Sequence, residues 1–571
     1  MANDRGETTR HPRTWKTGAG LKDETEVMTA HGRGRGRLEI VSLNLDHRGT
    51  LVPVWASPPV RAILRPGGGR HRGHGHALTD SGALRRGAGP TRRLISLTAG
   101  GGRTGVWSTS EQGRAALVQA FGPRRVLTDS RDRMAYAYDA TGEKYLCDAV
   151  FFPESTAEVV EAVRIARRHG LPVVPRGAGT NISGGTLPVR GGLVLAMNRM
   201  NRILAIDPDD RIAAVQPGVP NIQLQQALAP HGFFFAADPG SHRVSTLGGN
   251  VAENSGGPHC LKYGVTTNHV RGLEVVLADG EVVRVGGRTQ EAPPGYDLLA
   301  LLVGAEGTLA VVTAIDLHIL PLPPSRRTIL AVYDQLEAAA TTVSAIVAAR
   351  LVPASIELLD RGMIACVEPF AHAGYPADAD AVLLIEVDGT PAAVERAAAR
   401  IAEIATGSGA RQVRSARDQA EQDALWLGRR VAYGAAARLS AHVWTQDVTV
   451  PRDRMVEALR AVEAIGRKWR VQVVTVAHAG DGNLHPLIPF NPQDHDEVER
   501  MKAADHEIVA ACVKLGGSVT GEHGVGIDKL PTLPLQYGPA ELEVMQRLKR
   551  ALDPDEVLNP GKAIPAPRRN V

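Results

Sequence analysis

The sequence predicts an α+β fold, and three observations carry that prediction. Residues 155–185 read as a helix, a strand and a glycine-rich loop behind a further strand, a βαβ-type unit. Between residues 216 and 308, six short glycine segments punctuate β-branched runs. From 326 to 505, helix-like and strand-like stretches alternate, which suggests a ferredoxin-like antiparallel sheet with helices on one face.

Each element has its own signal. A leading segment, 111–145, holds one helix at Gln112–Phe121. Ser155 and Glu158 form a capping box, Val159, Ala162, Val163 and Ala166 fall at i, i+3, i+4 and i+7, and Gly170 ends the helix. A strand-like Leu171-Pro-Val-Val174 then leads into Pro175-Arg-Gly-Ala-Gly-Thr-Asn-Ile-Ser-Gly-Gly185. The backbone N–H groups of such a loop suit a pyrophosphate, although the spacing is neither the Rossmann nor the Walker pattern. Taken alone, the loop reads equally as a structural turn.

The following segments are 216–218, 238–240, 245–250, 254–257, 263–264 and 304–308, with strands such as Leu273–Leu277 and Leu309–Ile315 between them. Their density predicts a backbone wrapped closely around a long, phosphate-bearing cofactor. A proline cluster, Pro321-Leu-Pro-Pro324, closes this part. Beyond it come helices near 335–350, 390–405 and 455–468, strands near 382–387, 446–450 and 471–477, and a last helix near 539–552.

Composition sets bounds on function. The chain has 571 residues, 43% apolar and 22% charged, ordinary for a globular protein with two or three cores. Aromatics are scarce at 4%, against a stacking platform for nucleic acid. There is no run long enough for a membrane span and no secretory h-region. Cys147, Cys260, Cys366 and Cys512 are too scattered for an iron–sulfur or metal framework and suit a reducing cytosol. The net charge of +4 hides an asymmetry. Residues 1–110 hold 18 Lys/Arg against 8 Asp/Glu, so the remainder carries −6. This basic, Gly-, Arg- and His-rich stretch reads as a low-complexity, disordered extension rather than a nucleic-acid arm or a metal tract.

Chemistry concentrates near the C-terminus. Residues 476–485 read Val-Ala-His-Ala-Gly-Asp-Gly-Asn-Leu-His, and 521–524 read Gly-Glu-His-Gly. Two imidazoles, His478 and His485, and the Glu522 carboxylate are the parts of a catalytic divalent-metal site with open positions. His523 is left over as a proton acceptor. The alternative is a pair of half-buried histidines flanking an Asp-Gly turn.

Taken with Arg176-Gly-Ala-Gly-Thr180, Thr246-Leu-Gly-Gly-Asn250, Gly304-Ala-Glu-Gly-Thr308, Glu357-Leu-Leu-Asp360, Trp426-Leu-Gly-Arg429 and Leu558-Asn-Pro-Gly-Lys562, these motifs carry a resemblance. From about residue 115 to 563 the chain resembles the FAD-linked oxidase family of the vanillyl-alcohol oxidase (PCMH) type. Within it, the likeness is to the glycolate oxidase flavin subunit and to FAD-dependent D-lactate and D-2-hydroxyglutarate dehydrogenases. The resemblance implies a PCMH-type FAD-binding domain of two α/β subdomains over 111–324 and a ferredoxin-like substrate domain over 325–505. It also implies a C-terminal segment, 506–571, that returns to the FAD domain and completes an active site between the two.

The resemblance further implies residue roles. FAD contacts are expected from Arg176, Gly177, Ala178, Gly179, Thr180, Asn181, Gly184, Pro239, Gly240, Ser245, Thr246, Gly248, Gly249 and Asn250. Asn254, Gly256, Gly257, Gly264, Glu306, Gly307, Val312 and Asn559 complete that set. His478, His485 and Glu522 would hold one divalent ion (Zn, Mn or Fe), with His523 as base and Asn483 as a hydrogen-bonding partner. Oxidising a 2-hydroxy acid needs hydride loss to the flavin and loss of a hydroxyl proton, which a divalent ion and a histidine assist. The substrate carboxylate wants an Arg, and Arg429 stands at the family's position, with Arg430 beside it as a competitor.

Two departures refine the expectation. Thr445 replaces the lysine that longer-diacid dehydrogenases carry two residues before the strand aspartate, here Asp447, which favours glycolate or D-lactate. The first glycine loop has no histidine for covalent attachment, so FAD is expected to bind non-covalently. Electrons would leave to an iron–sulfur acceptor subunit, a quinone system or oxygen. A cytoplasmic location, at most peripheral to the inner membrane face through a partner, and a homodimer are compatible with the sequence. The competing readings are a metal-free sugar or alditol oxidase of the same fold and a non-catalytic flavin-fold subunit.

Overall fold

The computed structural model describes residues 104–288 and 295–565, with side chains from residue 110, and the backbone of a hairpin pairing Ser42–Leu45 with Leu51–Val54 antiparallel. That hairpin is a unit by itself, and of the rest of the extension expected over 1–110 only residues 104–110 are described, as the start of a helix. The first helix of the main body is Thr104–Phe121, beginning earlier than Gln112.

A four-stranded sheet comes first, with Val126–Leu127, Ala149–Phe151, Leu193–Ala196 and Val173–Arg176 in that spatial order. Its last three strands run parallel. The crossover helix Thr156–Arg168 starts where Ser155 accepts a hydrogen bond from the Glu158 N–H. The Glu158 carboxylate turns to the Glu154 N–H and to Arg125 instead of closing the reciprocal half of the box. Val159, Ala162, Val163 and Ala166 have no exposed surface. Burying each such valine contributes about 1.5–3 kcal/mol. This helix packs between the first sheet and a second, because Val276, Ala278 and Val311 share its core.

The second sheet is five-stranded and antiparallel, ordered Val282–Gly286, Val270–Val276, Val311–His318, Ile212–Val215, Ile203–Asp207. Helices Asn221–Leu228 and Leu247–Glu253 cover its other face through Leu224, Leu228, Leu247 and Val251. Near the C-terminus the chain comes back to the first sheet, where Leu558 bridges Val173 and packs in the same core.

The third sheet is the largest. Its strands run Gln412–Ser415, Ser325–Tyr333, Ala381–Gly389, Ser355–Asp360, Val474–His478, Asn483–Phe490 and His442–Thr445, with Val448–Thr449 also paired to Asn483–Phe490. Every pairing is antiparallel. Helices Leu336–Ala348, Pro391–Gly407, Met455–Trp469 and His495–Lys514 cover one face. The opposite face also carries helices, Arg361–Ala371, Gln419–Arg430 and Ala432–Ala436, so the expectation of helices on one face is too simple. The strand sequence is consistent with this: Ala381–Val387 is buried without alternation, as in a strand covered on both sides.

Candidate functional site

The hairpin Val474–His478 and Asn483–Phe490 supplies the first components. His478 pairs with Asn483 and Val476 with His485, so period-two alternation puts both imidazoles and the Asn483 amide on one face. Gly482 makes the turn tight enough: its φ is +85°, and a Cβ there would sit 2.1 Å from the Val450 carbonyl oxygen. On the adjacent strand Glu357 stands directly opposite His478.

Glu522 and His523 arrive on a turn clamped from two sides. The Asp447 Oδ2 accepts hydrogen bonds from the Thr520 hydroxyl at 2.6 Å and from the N–H groups of Gly521, Glu522 and His523 at 2.8, 3.0 and 3.0 Å. Glu306 accepts from the Val525 and Gly526 N–H groups, each at 2.7 Å. The Ser183 hydroxyl donates to the His523 carbonyl at 3.0 Å. One carboxylate from the large sheet and one from the loop after the second glycine region thus fix the same turn.

The result is convergence on one oxygen. Glu522 Oε1 lies 3.1 Å from His478 Nε2, 3.3 Å from His485 Nε2 and 3.9 Å from His523 Nε2. His478 and His485 are buried, and their rings cross edge to face at 5.0 Å, while His485 and His523 stack at 5.0 Å. Burial resists a charge on Glu522, but His478 and His485 outweigh it and hold the carboxyl well below the usual range. Burial likewise disfavours a charged His478, yet Glu357 and Glu522 raise it well above its ordinary value. A pair of imidazole nitrogens and a carboxylate oxygen at this separation suits a divalent ion, and His478, His485 and Glu522 would hold it. Asn483 sits against Gly521, with its Oδ1 lacking a partner. Asp447, His485 and His523 form a second close trio.

Arg429 is brought to the site but is not free. Its Nε donates to Glu357 at 2.6 Å, and its Nη2 lies 3.5 Å from His478 Nδ1. Glu357 has no exposed surface; burial pushes it up, but His478 and Arg429 prevail and hold it at about 2. Arg430, the competitor, approaches the Asp423 carbonyl at 3.5 Å instead.

The expected cofactor residues divide. Arg176, Gly177, Thr246, Gly248, Gly249, Glu306, Gly307 and Val312 line one cavity, open to solvent, between the two smaller sheets and the helix Leu247–Glu253. Gly177 approaches so closely that a Cβ would fall 2.3 Å from Thr246 Oγ1. Asn181 and Gly184 lie against the segment that carries Glu522 and His523, the former 3.4 Å from the His523 carbonyl and the latter against Ile527. Asn559 donates to the Gly185 and Glu306 carbonyls, tying the C-terminal segment to the cavity wall. Asn250 donates to the Ser245 hydroxyl and accepts from Asn221, Asn254 accepts from the Thr267 N–H, Gly257 packs on Asp238 and Gly264 on Asn268. Gly256 faces Glu522 and Cys260. Ala178, Gly179, Thr180, Pro239 and Gly240 do not line this cavity.

Sequence reasoning passed over three groups at the site. Glu357 appeared only inside a motif and Asp447 only as a reference point for Thr445, although a carboxylate in or beside an apolar strand signals a buried partner. The third is Cys260, close enough to Glu522 that one Cβ placed on Gly256 would touch both. Burial, then Glu522, pushes its thiol far up and keeps it protonated.

Comparison with known proteins now fits this geometry. Residues 147–286 match the "FAD binding domain" family model, and residues 322–563 match "FAD linked oxidases, C-terminal domain". The glycolate oxidase subunit GlcD of Bacillus subtilis (strain 168) is 43% identical over 447 residues, 78% of this chain and 95% of that one. Its Escherichia coli (strain K12) namesake is 41% identical over 74% and 84%. The D-lactate dehydrogenase of Anaerostipes hadrus is 31% identical over 77% and 94%. The fold resembles p-cresol methylhydroxylase with substrate bound, with a TM-score of 0.70 at 18% identity over 82% and 99%. No helix among the described residues is long and apolar enough to cross a membrane. The chain belongs to the FAD-linked oxidase family and is an FAD-dependent oxidoreductase.

Proposed function

We propose that the protein oxidises a small 2-hydroxy acid, glycolate or D-lactate, to the 2-oxo acid. The observation that carries this reading is the convergence of His478, His485 and His523 on one Glu522 oxygen, in a chain whose relatives include several named for these acids. Bound FAD supplies the two-electron acceptor, and a divalent ion (Zn, Mn or Fe) supplies positive charge beside the hydroxyl.

The chain's own residues do the rest. His523 Nε2 accepts the hydroxyl proton as the carbinol hydrogen leaves as hydride. Arg429, its Nε held by Glu357, offers its terminal nitrogens to the substrate carboxylate, and Asn483 offers its amide. Arg176–Gly185 carries the FAD phosphates. FAD is held non-covalently: the first glycine loop has no histidine, and nearby His242 and His259 are engaged with the Pro239 carbonyl and Asp238. Domains are divided at 111–324, 325–505 and 506–571, with the second boundary moved to the end of the helix His495–Lys514, which packs as one element on the large sheet, and with the site between them. Electrons pass on to a partner subunit or a quinone system, since two relatives are named as subunits.

The test is anaerobic reduction of the FAD-loaded protein. Glycolate or D-lactate should bleach the flavin, a chelator should abolish bleaching, and Zn²⁺ or Mn²⁺ should restore it. A flavin inert to both acids at full FAD and metal content overturns the reading. Bleaching by a sugar alcohol regardless of metal transfers the case to a sugar oxidase.

A further inference from the structure

We infer that Asp447 is a positioning residue that sets the ring orientation and tautomer of the candidate ligand His485 while its second oxygen holds the turn that carries His523. This rests on the proposed reaction and adds to it a group outside the ligand set.

The geometry is specific. The stacked rings of His485 and His523 are only 14° from parallel. Each turns Nδ1 towards Asp447, at 3.8 Å from Oδ1 and 3.9 Å from Oδ2 respectively, and Nε2 towards Glu522. Asp447 has no exposed surface. Its Oδ2 already accepts four hydrogen bonds from the 520–523 turn, whereas Oδ1 has none. His485 Nδ1 is also without a partner. Two buried polar atoms without partners, one an acceptor and one a potential donor, therefore face each other at 3.8 Å, a distance that a small ring movement closes.

A carboxylate at Nδ1 favours the tautomer protonated there and leaves Nε2 bare. His485 needs a bare Nε2 to ligate. Both rings turn Nε2 to Glu522 and only Nδ1 to Asp447, so the trio of Asp447, His485 and His523 is read as support and not as a second ion site. Glu357 does the same for His478, with both its oxygens 2.9 Å from Nδ1. Lys529 donates to the Asp447 carbonyl at 2.8 Å and lies 3.7 Å from Oδ2, which balances the buried charge.

The discriminating variant is Asp447→Asn. Its oxygen can still accept from the turn, but its amide nitrogen, placed at Oδ1, donates to Nδ1 and inverts the tautomer. In FAD-loaded protein, Zn²⁺ affinity should fall roughly 10- to 100-fold. Thr520→Val removes one turn hydrogen bond without touching a ring and should leave Zn²⁺ affinity within about threefold. Unchanged affinity in Asp447→Asn, or an equal loss in Thr520→Val, overturns the inference. If Asp447→Asn fails to retain FAD, ring ¹⁵N shifts of the unmodified holoprotein decide. Nδ1–H with bare or metal-bound Nε2 in His485 supports it, and Nε2–H in His485 overturns it. His485→Ala separates the two levels. If that variant keeps its Zn²⁺ and turnover, the metal reading itself fails, whatever Asp447 does.

Discussion

Glu357 and His478 stand opposite each other on adjacent antiparallel strands, and Nδ1 of the histidine lies 2.9 Å from both carboxylate oxygens. The same carboxylate holds the Arg429 Nε at 2.6 Å, so one buried anion organises a candidate metal ligand and a candidate substrate clamp. Removing it should disturb both. Glu357→Ala leaves the Arg429 guanidinium without its buried partner and His478 Nδ1 without an acceptor, which costs about 3–5 kcal/mol. Denaturant unfolding of the FAD-loaded variant measures this, and a cost below 1 kcal/mol would show that the pair contributes nothing net.

Arg429 is testable separately because its roles divide by atom. Arg429→Lys keeps a cation near Glu357 but loses the planar fork that grips a carboxylate. The expected result is a KM for the hydroxy acid raised roughly 10- to 100-fold, the worth of a charge-assisted hydrogen bond, with metal content unchanged. An unaltered KM with a lowered metal content would make Arg429 only a prop for Glu357 and His478.

Much of this site was legible in the sequence, and the reason is physical. The His478 to His485 segment and Glu522-His523 are compact motifs whose spacing translates directly into a tight hairpin and a turn. The helix Thr156–Arg168 was legible because its cap and its 3.6-residue apolar period agree. What was not legible depends on long-range pairing. Glu357 and His478 are 121 residues apart, and the Asp447 contacts with the turn span 73 to 76. No local period shows which strand a carboxylate will face. The second helical layer escaped for a related reason. Arg361–Ala371 contains Pro369 and Gln419–Arg430 is highly polar, so neither announces a buried stripe, although Met363, Leu425 and Trp426 are all buried.

The cavity makes a prediction about FAD. At Gly177 any side chain meets Thr246, whose hydroxyl caps the helix Leu247–Glu253 by accepting from the Gly249 N–H at 3.3 Å. Gly177→Val should therefore purify with little flavin absorbance while keeping its far-ultraviolet circular dichroism. Full FAD occupancy in that variant would remove the first glycine loop from the binding site.

His269 provides a separate stability prediction. It is buried, its Nε2 contacts the Tyr263 carbonyl at 2.9 Å, and its Nδ1 has no hydrogen-bond partner. Burial, together with the repulsion of His318 and Arg271, outweighs that carbonyl and lowers its pKa to about 4 from an ordinary 6.5. Because the unfolded chain binds this proton more readily than the folded one, the residue's contribution to stability is fully present above pH 6.5. It is lost progressively as the pH falls towards 4, where the loss approaches about 3 kcal/mol. His269→Gln retains a donor for the Tyr263 carbonyl without a titrating group. Thermal unfolding of FAD-loaded protein between pH 7 and 4.5 should then show a shallower acid-side decline in the variant, by close to one proton's worth of slope. Parallel curves for the two proteins would mean that His269 takes up its proton without penalty in the folded state, and that its burial is not what makes this region sensitive to acid.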